Sequence, residues 1–406
     1  MILDDSWDRL RAWQYAERYL GANTRSYSPF SDHLDISEAY HPQRGEPASA
    51  VPTFVIPAQR GEFLRNGTET ALDRLYRGDD HFLLPVHPDA LCCADLFQRE
   101  RLLACERGPD LLAVPSANAR TMFVERVGDE RVEPHFVKLH YPRRLSRFTR
   151  RLRRPVIELE LWAAEQLIAD RVPVLPEVAG GVVGDDPYHS WGFVIRETRT
   201  RATDGLPYTV PLFALYGGDV RRPGDPTLME QLVPRRGEAA ATWLAEHVVA
   251  PVVTLWVRTA LRTGLALEPH GQNALFAFDP DDGRTAVAYR DCAIYVDPQI
   301  RVDLGLGGPL PPVNVISRDI RAPREQVFSL TYDSFLAHHV LERLARVAER
   351  TLGVEPSELR RAAREAFAAG GGADVPLPRT VYYYDDQLHP PGRWRLVDTG
   401  APPAWR

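Results

Sequence analysis

The chain has 406 residues, is 44% hydrophobic and 26% charged, and carries a formal net charge of −6. This is globular composition, enough for two or three subdomains, and its acidic balance excludes a chain built to coat nucleic acid. The four cysteines, Cys92, Cys93, Cys105 and Cys292, form no CxxC pair, which excludes a disulfide framework or zinc finger and fits a cytoplasmic protein.

The acidic, amphipathic N-terminus has no signal-peptide core. No uninterrupted apolar run approaches the roughly 18 residues of a membrane helix. Residues 4–20 predict a helix, with Trp7, Leu10, Trp13, Ala16 and Leu20 at helical spacing. Residues 21–63 are rich in turn formers and include His41-Pro42. A turn-rich stretch of that length in a compact domain points to function or to packing on other elements. Residues 67–78 predict a short helix and Phe82–Val86 a strand. His87-Pro88 follows as a turn, then a helix over Asp89–Arg101 with Asp89 as its cap. His87 reads as structural rather than catalytic.

Residues 115–154 hold the centre of the chemistry. Met122–Val124 and His135–Leu139 read as a hairpin around Gly128-Asp129-Glu130. Lys138, near the end of the second strand, is the one lysine among 49 Lys and Arg residues. An ammonium is a compact point charge where a guanidinium is a planar fork, so one lysine among arginines suggests a site beside a phosphate oxygen. Arg120 and Thr121 stand at the start of the first strand. Seven arginines crowd residues 143–154. Together these suggest a polyanionic ligand, although an arginine run is more often a solvated face.

A helix is predicted over residues 155–170, with Leu159, Trp162, Ala163, Gln166 and Leu167 on one face. Two strands follow, in PVLPEVAGGVV and SWGFVIRETRT, the second ending in Arg196-Glu197. Residues 239–264 predict the longest helix, kinked at Pro251 and capped by Gly264. Asn273–Phe278 and Thr285–Tyr289 form a second hairpin, flanked by Glu268, His270 and Asn273 on one side and Arg290-Asp291 on the other. Carboxylate and amide oxygens at adjacent strand ends suit Mg²⁺, and a histidine beside them can polarise or deprotonate a substrate. Helices over 333–350 and 356–369 and a closing strand pair, VYYYDD with RWRLVD, complete the chain. A cationic and a polar hairpin together favour a nucleotide–Mg²⁺ site. A small-molecule phosphotransferase has a related pattern, but Gln272 stands where its catalytic aspartate belongs, and no Walker-type loop is present.

In order, Leu84-Pro-Val-His87-Pro88, Arg120-Thr121, Lys138, Ser146 with Arg150, Arg196-Glu197, Glu268-Pro-His270-Gly-Gln272-Asn273 and Arg290-Asp291 resemble the motifs of the NRPS-independent siderophore (NIS) synthetases of the aerobactin-synthetase type. The likeness spans about residues 80–300. It implies an α+β fold with mainly antiparallel sheets backed by helices, in a palm, fingers and thumb arrangement. The thumb-like region would be a reduced 1–110, the nucleotide-binding fingers 111–238 and the palm 239–406. It also implies an ATP- and Mg²⁺-dependent ligase that adenylates a carboxylic acid such as citrate and condenses it with an amine or alcohol. By resemblance Lys138, His270 and Arg120 are catalytic. Asn118, Arg120, Thr121, Lys138, Gln272 and Asn273 bind ATP. Ser146, Arg150 and His270 hold the acid, and Glu268, Asn273 and Asp291 hold Mg²⁺. Small-molecule acid and amine or alcohol substrates are the expected partners, with no nucleic acid or membrane and with a homodimer left open. Asn118 stands where the family has serine, His87-Pro88-Asp89-Ala90 replaces His-Pro-Trp-Gln, and the family's C-terminal lysine is absent, Arg379 lying only roughly in its place. A phosphotransferase and a non-catalytic carboxylate- or partner-binding member are the alternatives. Lys138→Ala is expected to remove adenylation with little loss of fold.

Overall fold

The structure is a computed structural model. It describes all residues except 1–7, 23, 25–33, 68–69, 95, 97, 146–147, 185, 188, 234–235 and 386–394, together with the side chain of residue 148. The fold is α+β. Seven antiparallel strands form the larger sheet, in the spatial order Ser49–Val51, Leu111–Pro115, Thr121–Val127, Glu130–Leu139, Trp191–Glu197, Glu177–Val183 and Gly61–Arg65. The first and last come from the N-terminal 110 residues, so the sheet crosses the boundary drawn there. Glu130–Leu139 is the central strand, and its Lys138 faces Thr121 on one neighbour and Val194 on the other.

Alternation along these strands separates two faces. Val137, Leu139, Met122, Val124, Phe193 and Ile195 pack with Phe54, Phe82 and Leu84 of a strand pair, Thr53–Pro57 and His81–Pro85. The opposite face meets the helix Arg154–Ala169, where Ile157 and Leu161 pack on Val182 and Val194. Leu159, Ala163 and Leu167 are buried on this helix as expected, whereas Trp162 and Gln166 are only partly buried.

The second body is a three-stranded sheet, Tyr208–Pro211, Ala274–Phe278 and Thr285–Tyr289, against a large helical core. The N-terminal helix, described over Arg9–Tyr19, wedges Trp13 between the bodies. Its indole stands 5.5 and 5.4 Å from the rings of Phe123 and Phe136, beside Leu275 and Ala288. The two bodies thus share one apolar seam, and the cleft opens beside it.

The long helix runs over Glu238–Thr263 and ends at Gly264, whose φ of +69° is easy for a residue without a side chain. The expected disturbance at Pro251 takes the form of a π-helical segment, Ala245–Val249, immediately before the proline. There the Ala250 N–H reaches back to Ala245 O, a register shift that absorbs the missing donor. By length and composition this helix reaches what a membrane crossing needs, although Glu246 and His247 interrupt its apolar run. Its apolar window is 56% buried inside the molecule, as in a core helix.

The helix expected over Asp89–Arg101 is two short ones, Pro88–Leu91 and Arg99–Leu103. His87, not Asp89, caps the first, accepting from the Asp89 N–H. The Asp89 carboxylate instead binds the Ser37 backbone and hydroxyl and the Tyr141 hydroxyl. Capping propensity loses here to a buried tertiary hydrogen-bond set. Arg324–Ser329, Leu330–Leu341 and Glu342–Leu352 follow one another without a break, the middle segment π-helical, and Pro356–Ala369 follows. Tyr382–Tyr384 pairs with Leu396–Asp398, closing the described chain as the sequence predicts.

Candidate active site

The ends of the two hairpins meet at one cleft of about 820 Å³, open mouth included. Arg120, Asn118 and Arg150 line it from the side of the larger sheet, and His270, Gln272, Asn273 and Asp291 from the side of the three-stranded sheet. Tight turns place these groups. On the sheet side, the Asn118 amide oxygen accepts the Thr121 N–H at 2.8 Å and its nitrogen donates to Thr121 Oγ1 at 3.1 Å, while Ala119 takes φ +66°. On the side of the three-stranded sheet, His270 Nδ1 accepts from the Gln272 N–H, and the Asn273 side-chain nitrogen donates to Glu268 O. Asp291 takes φ +80°, a conformation that costs a non-glycine residue about 1–3 kcal/mol unless its surroundings over-determine it. They do: the Arg290 N–H binds Asn273 O, and the Cys292 N–H binds Glu177 Oε2.

A buried charge network lies beneath. Lys138 is fully buried, its ammonium 2.7 Å from Glu160 Oε1 and 2.7 Å from Asp291 Oδ1. Arg196 binds Glu177, and Arg290 grips Glu17 through both of its terminal nitrogens. Burial alone would lower the Lys138 pKa, but Asp291, Glu160 and Glu177 outweigh it and hold the ammonium above its ordinary value. Two carboxylates share this one cation. Burial raises the Glu160 pKa, whereas Lys138 and Arg196 overcome burial at Asp291 and keep it well below the carboxylate range. Burial, and then the Arg150 charge, lowers Arg120 to about 10. Burial, followed by Asp291, raises Glu268 to about 7.

The structure therefore brings Asn118, Arg120, Arg150, His270, Gln272, Asn273 and Asp291 to one place. It sets Lys138 and Thr121 behind that surface, not on its wall, and Glu268 beside it. Ser146 lies outside the described residues. Burial of Lys138 between two carboxylates also revises the expectation that its removal spares the fold. Sequence reasoning missed Glu17, Glu160 and Glu177. Glu160 was findable, because it sits three residues after Ile157 and four before Ala164 on the apolar stripe of its helix, where an unpaired carboxylate is costly. Glu17 was likewise findable, four residues after Trp13 on the buried face of its helix.

Several solved structures share this architecture. ATP-bound aerobactin synthetase IucA from a hypervirulent pathotype of Klebsiella pneumoniae aligns with a TM-score of 0.71 and 16% identity, over 96% of this chain and 78% of its own. Petrobactin biosynthesis protein AsbB from Bacillus anthracis gives 0.65 and 14%, over 97% and 75%. Aerobactin synthetase IucC from the same Klebsiella pathotype gives 0.62 and 16%, over 83% and 65%.

This chain has the aerobactin-synthetase fold.

The fold resemblance read from the motifs thus holds over nearly the whole chain, well beyond residues 80–300. A family model described as ferric iron reductase FhuF-like transporter matches residues 241–369, under a third of the aerobactin-synthetase-like chain. No curated protein matches it.

Proposed function

We propose that the chain is an ATP- and Mg²⁺-dependent ligase of the NIS-synthetase type, which adenylates a carboxylic acid and condenses the acyl group with an amine or alcohol. Citrate or an analogue is the acid to try first, and siderophore or related natural-product synthesis is the setting. The observation that carries this reading is the meeting of a cationic and a polar hairpin at a single cleft. A fold shared with an ATP-bound aerobactin synthetase supports it. Residues 111–238 would then act as nucleotide-binding fingers and 239–406 as the palm, in a cytoplasmic enzyme.

In this reading Arg120 and the Asn118 turn hold the phosphates, and Arg150 with His270 grips the acid, a fork suiting a carboxylate. The donor set fits Mg²⁺. Asp291 Oδ1 is committed to Lys138 and the Ala293 N–H, and Asn273 spends its side-chain nitrogen on Glu268 O, which leaves carboxylate and amide oxygens at the cleft. Mg²⁺ takes one or two protein carboxylates beside phosphate oxygens and water, and when bound it screens the charge of the reacting phosphates. Lys138 works one residue removed. Its ammonium keeps Asp291 ionised and aimed, and direct contact with a phosphate requires it to leave Glu160 and Asp291.

The test is pyrophosphate release from ATP across di- and tricarboxylic acids, with hydroxylamine trapping the acyl group. Pyrophosphate with a hydroxamate is expected for at least one acid. ADP in its place would make the chain a phosphotransferase. Nucleotide binding without turnover would favour the non-catalytic alternative.

A further inference from the structure

Asp89 stands outside the cleft wall and is 2% exposed, yet its carboxylate carries three hydrogen bonds. One oxygen accepts the Ser37 hydroxyl. The other accepts the Ser37 N–H at 3.1 Å and the Tyr141 hydroxyl at 2.5 Å, with an Arg143 nitrogen 3.7 Å away. Burial alone would raise the pKa of this carboxyl, but the hydrogen bonds from Ser37 and Tyr141 outweigh it and hold it below its ordinary value. Hydrogen bonds to an ionised acceptor are about twice as strong as neutral ones, so three of them on one carboxylate make a firm joint. The His87 ring braces that joint, edge-on to Tyr141 at 4.9 Å and to Tyr40 at 5.4 Å.

The joint ties together two segments that are distant in sequence. Leu34 forms an antiparallel bridge with Leu145, the Asp35 N–H donates to Arg144 O at 3.0 Å, and Asp35 O lies 2.9 Å from the Tyr141 hydroxyl. Leu34 and Ile36 pack with Ala119, Tyr141 and Leu145. Leu145 O in turn accepts Arg150 Nε at 3.2 Å, while the Tyr141 N–H binds Arg150 O and the Arg150 N–H binds Arg143 O. Leu34, Leu145 and Arg150 all line the cleft. A continuous path of contacts therefore runs from Asp89, through Ser37 and Tyr141, to the guanidinium of Arg150.

We propose that Asp89 is a positioning residue for the acid substrate: by fastening residues 34–37 to Tyr141 it fixes Leu145 and so aims Arg150 into the cleft. The inference rests on the ligase reading for the part it gives Arg150, that of holding the acid. Arg150 needs such support. Its charge opposes that of Arg120 in the same cleft, and the Arg120 guanidinium also donates to Arg150 O at 3.2 Å. A guanidinium that must meet both oxygens of a carboxylate is sensitive to aim, and a misplacement of 1 Å can cost about 10²-fold in rate. The Asn118 turn and Arg120, which hold the phosphates in this reading, take no hydrogen bond from residues 34–37 among the described residues. Loosening the joint therefore acts on the acid and spares the nucleotide.

Asp89→Asn, Tyr141→Phe and Ser37→Ala test this on the full chain, with thermal midpoints as the check on folding. Ser37 lies at the surface, so its variant keeps the test open if the other two do not fold. Kinetics give kcat and the KM for ATP and for an acid that yields a hydroxamate. Calorimetry with citrate, tricarballylate and succinate reads acid binding without turnover. Asp89→Asn and Tyr141→Phe are expected to raise the acid KM and weaken binding of the acid about tenfold, and Ser37→Ala to shift both less, in the same direction. The KM for ATP and kcat are expected to stay within about twofold, the pattern of lost binding rather than lost chemistry. Lower thermal midpoints with unchanged acid constants would make Asp89 merely structural and overturn the inference. An equal rise in the acid and ATP constants would overturn it too, as would a wild type that neither binds nor turns over any acid. If no acid yields a hydroxamate but the variants weaken acid binding and spare ATP binding, the ligase reading falls and the positioning role remains.

Discussion

Both hairpins at the cleft end in charged or polar residues, but they place them at different depths. From the sheet hairpin and its neighbours come Lys138 and Arg196, sunk beneath the surface and fully engaged by Glu160, Asp291 and Glu177. The hairpin Ala274–Phe278 with Thr285–Tyr289 keeps Gln272, Asn273 and Asp291 at its ends on the cleft wall, held by backbone hydrogen bonds. The contrast shows a division of labour: one half supplies a fixed electrostatic floor, and the other presents ligands. Asp291 belongs to both, which explains why a strained backbone is tolerated there.

The strongest way to break this comparison is Lys138→Ala. It strands the buried Glu160 carboxylate and takes the cation from Asp291 on the cleft wall, and removing one partner of a buried ion pair costs about 3–5 kcal/mol. Urea unfolding should show that loss together with loss of adenylation. Loss of adenylation at unchanged stability would return Lys138 to a purely catalytic part. Next in size is Glu17. Glu17→Ala leaves the Arg290 guanidinium buried without a carboxylate, and the loss should approach that of Lys138→Ala. Glu17→Gln keeps a hydrogen-bonding group of the same shape and should lose only about 1–3 kcal/mol.

A pH scan sharpens the contrast further, because the sheet half buries neutral histidines. Burial lowers His87 and His135 to about 4 and His140 to about 3. His135 is locked neutral, with Nδ1 against Glu133 O and Nε2 against the Tyr76 hydroxyl. A folded pKa below the unfolded value means that the unfolded chain binds the extra protons. The stability is therefore present above about 6.5 and is lost as pH falls towards 4. Thermal midpoints should drop through that window, and His140→Asn should flatten the slope. A flat profile for the wild type would contradict the burial. The smallest effect is expected from Asn118→Ser, which keeps an acceptor for the Thr121 N–H but loses the bond to Thr121 Oγ1. Stability should change by about 1 kcal/mol or less, and the KM for ATP should respond more than kcat.

Local signals in the sequence carried far. Period-two runs located both hairpins, and Gly264 and Pro251 marked the end of the long helix and its disturbance. What failed was depth. Period-two alternation puts Lys138 on the same face as Phe136, but only the packing of the helix Arg154–Ala169 decides whether that face is wall or floor. The same holds for Asp89, a good cap by type, which was claimed by Ser37 and Tyr141 from distant segments. The motifs named from the likeness to siderophore synthetases include Asn118, Arg120, Arg150, His270, Gln272, Asn273 and Asp291, which meet at the cleft, whereas the carboxylates of the charge network beneath, Glu17, Glu160 and Glu177, came from elements read as plain core.

The Arg290–Glu17 pair also matters for synthesis. The two residues are 273 positions apart, so the N-terminal helix leaves the ribosome long before the guanidinium that neutralises its buried carboxylate has been made. At ~5–20 residues per second the wait is roughly 15–55 s. Through that interval Glu17 must stay hydrated, and Trp13 beside it has no finished seam to enter. Final docking of the first helix is thus timed by one of the last parts of the cleft to be translated.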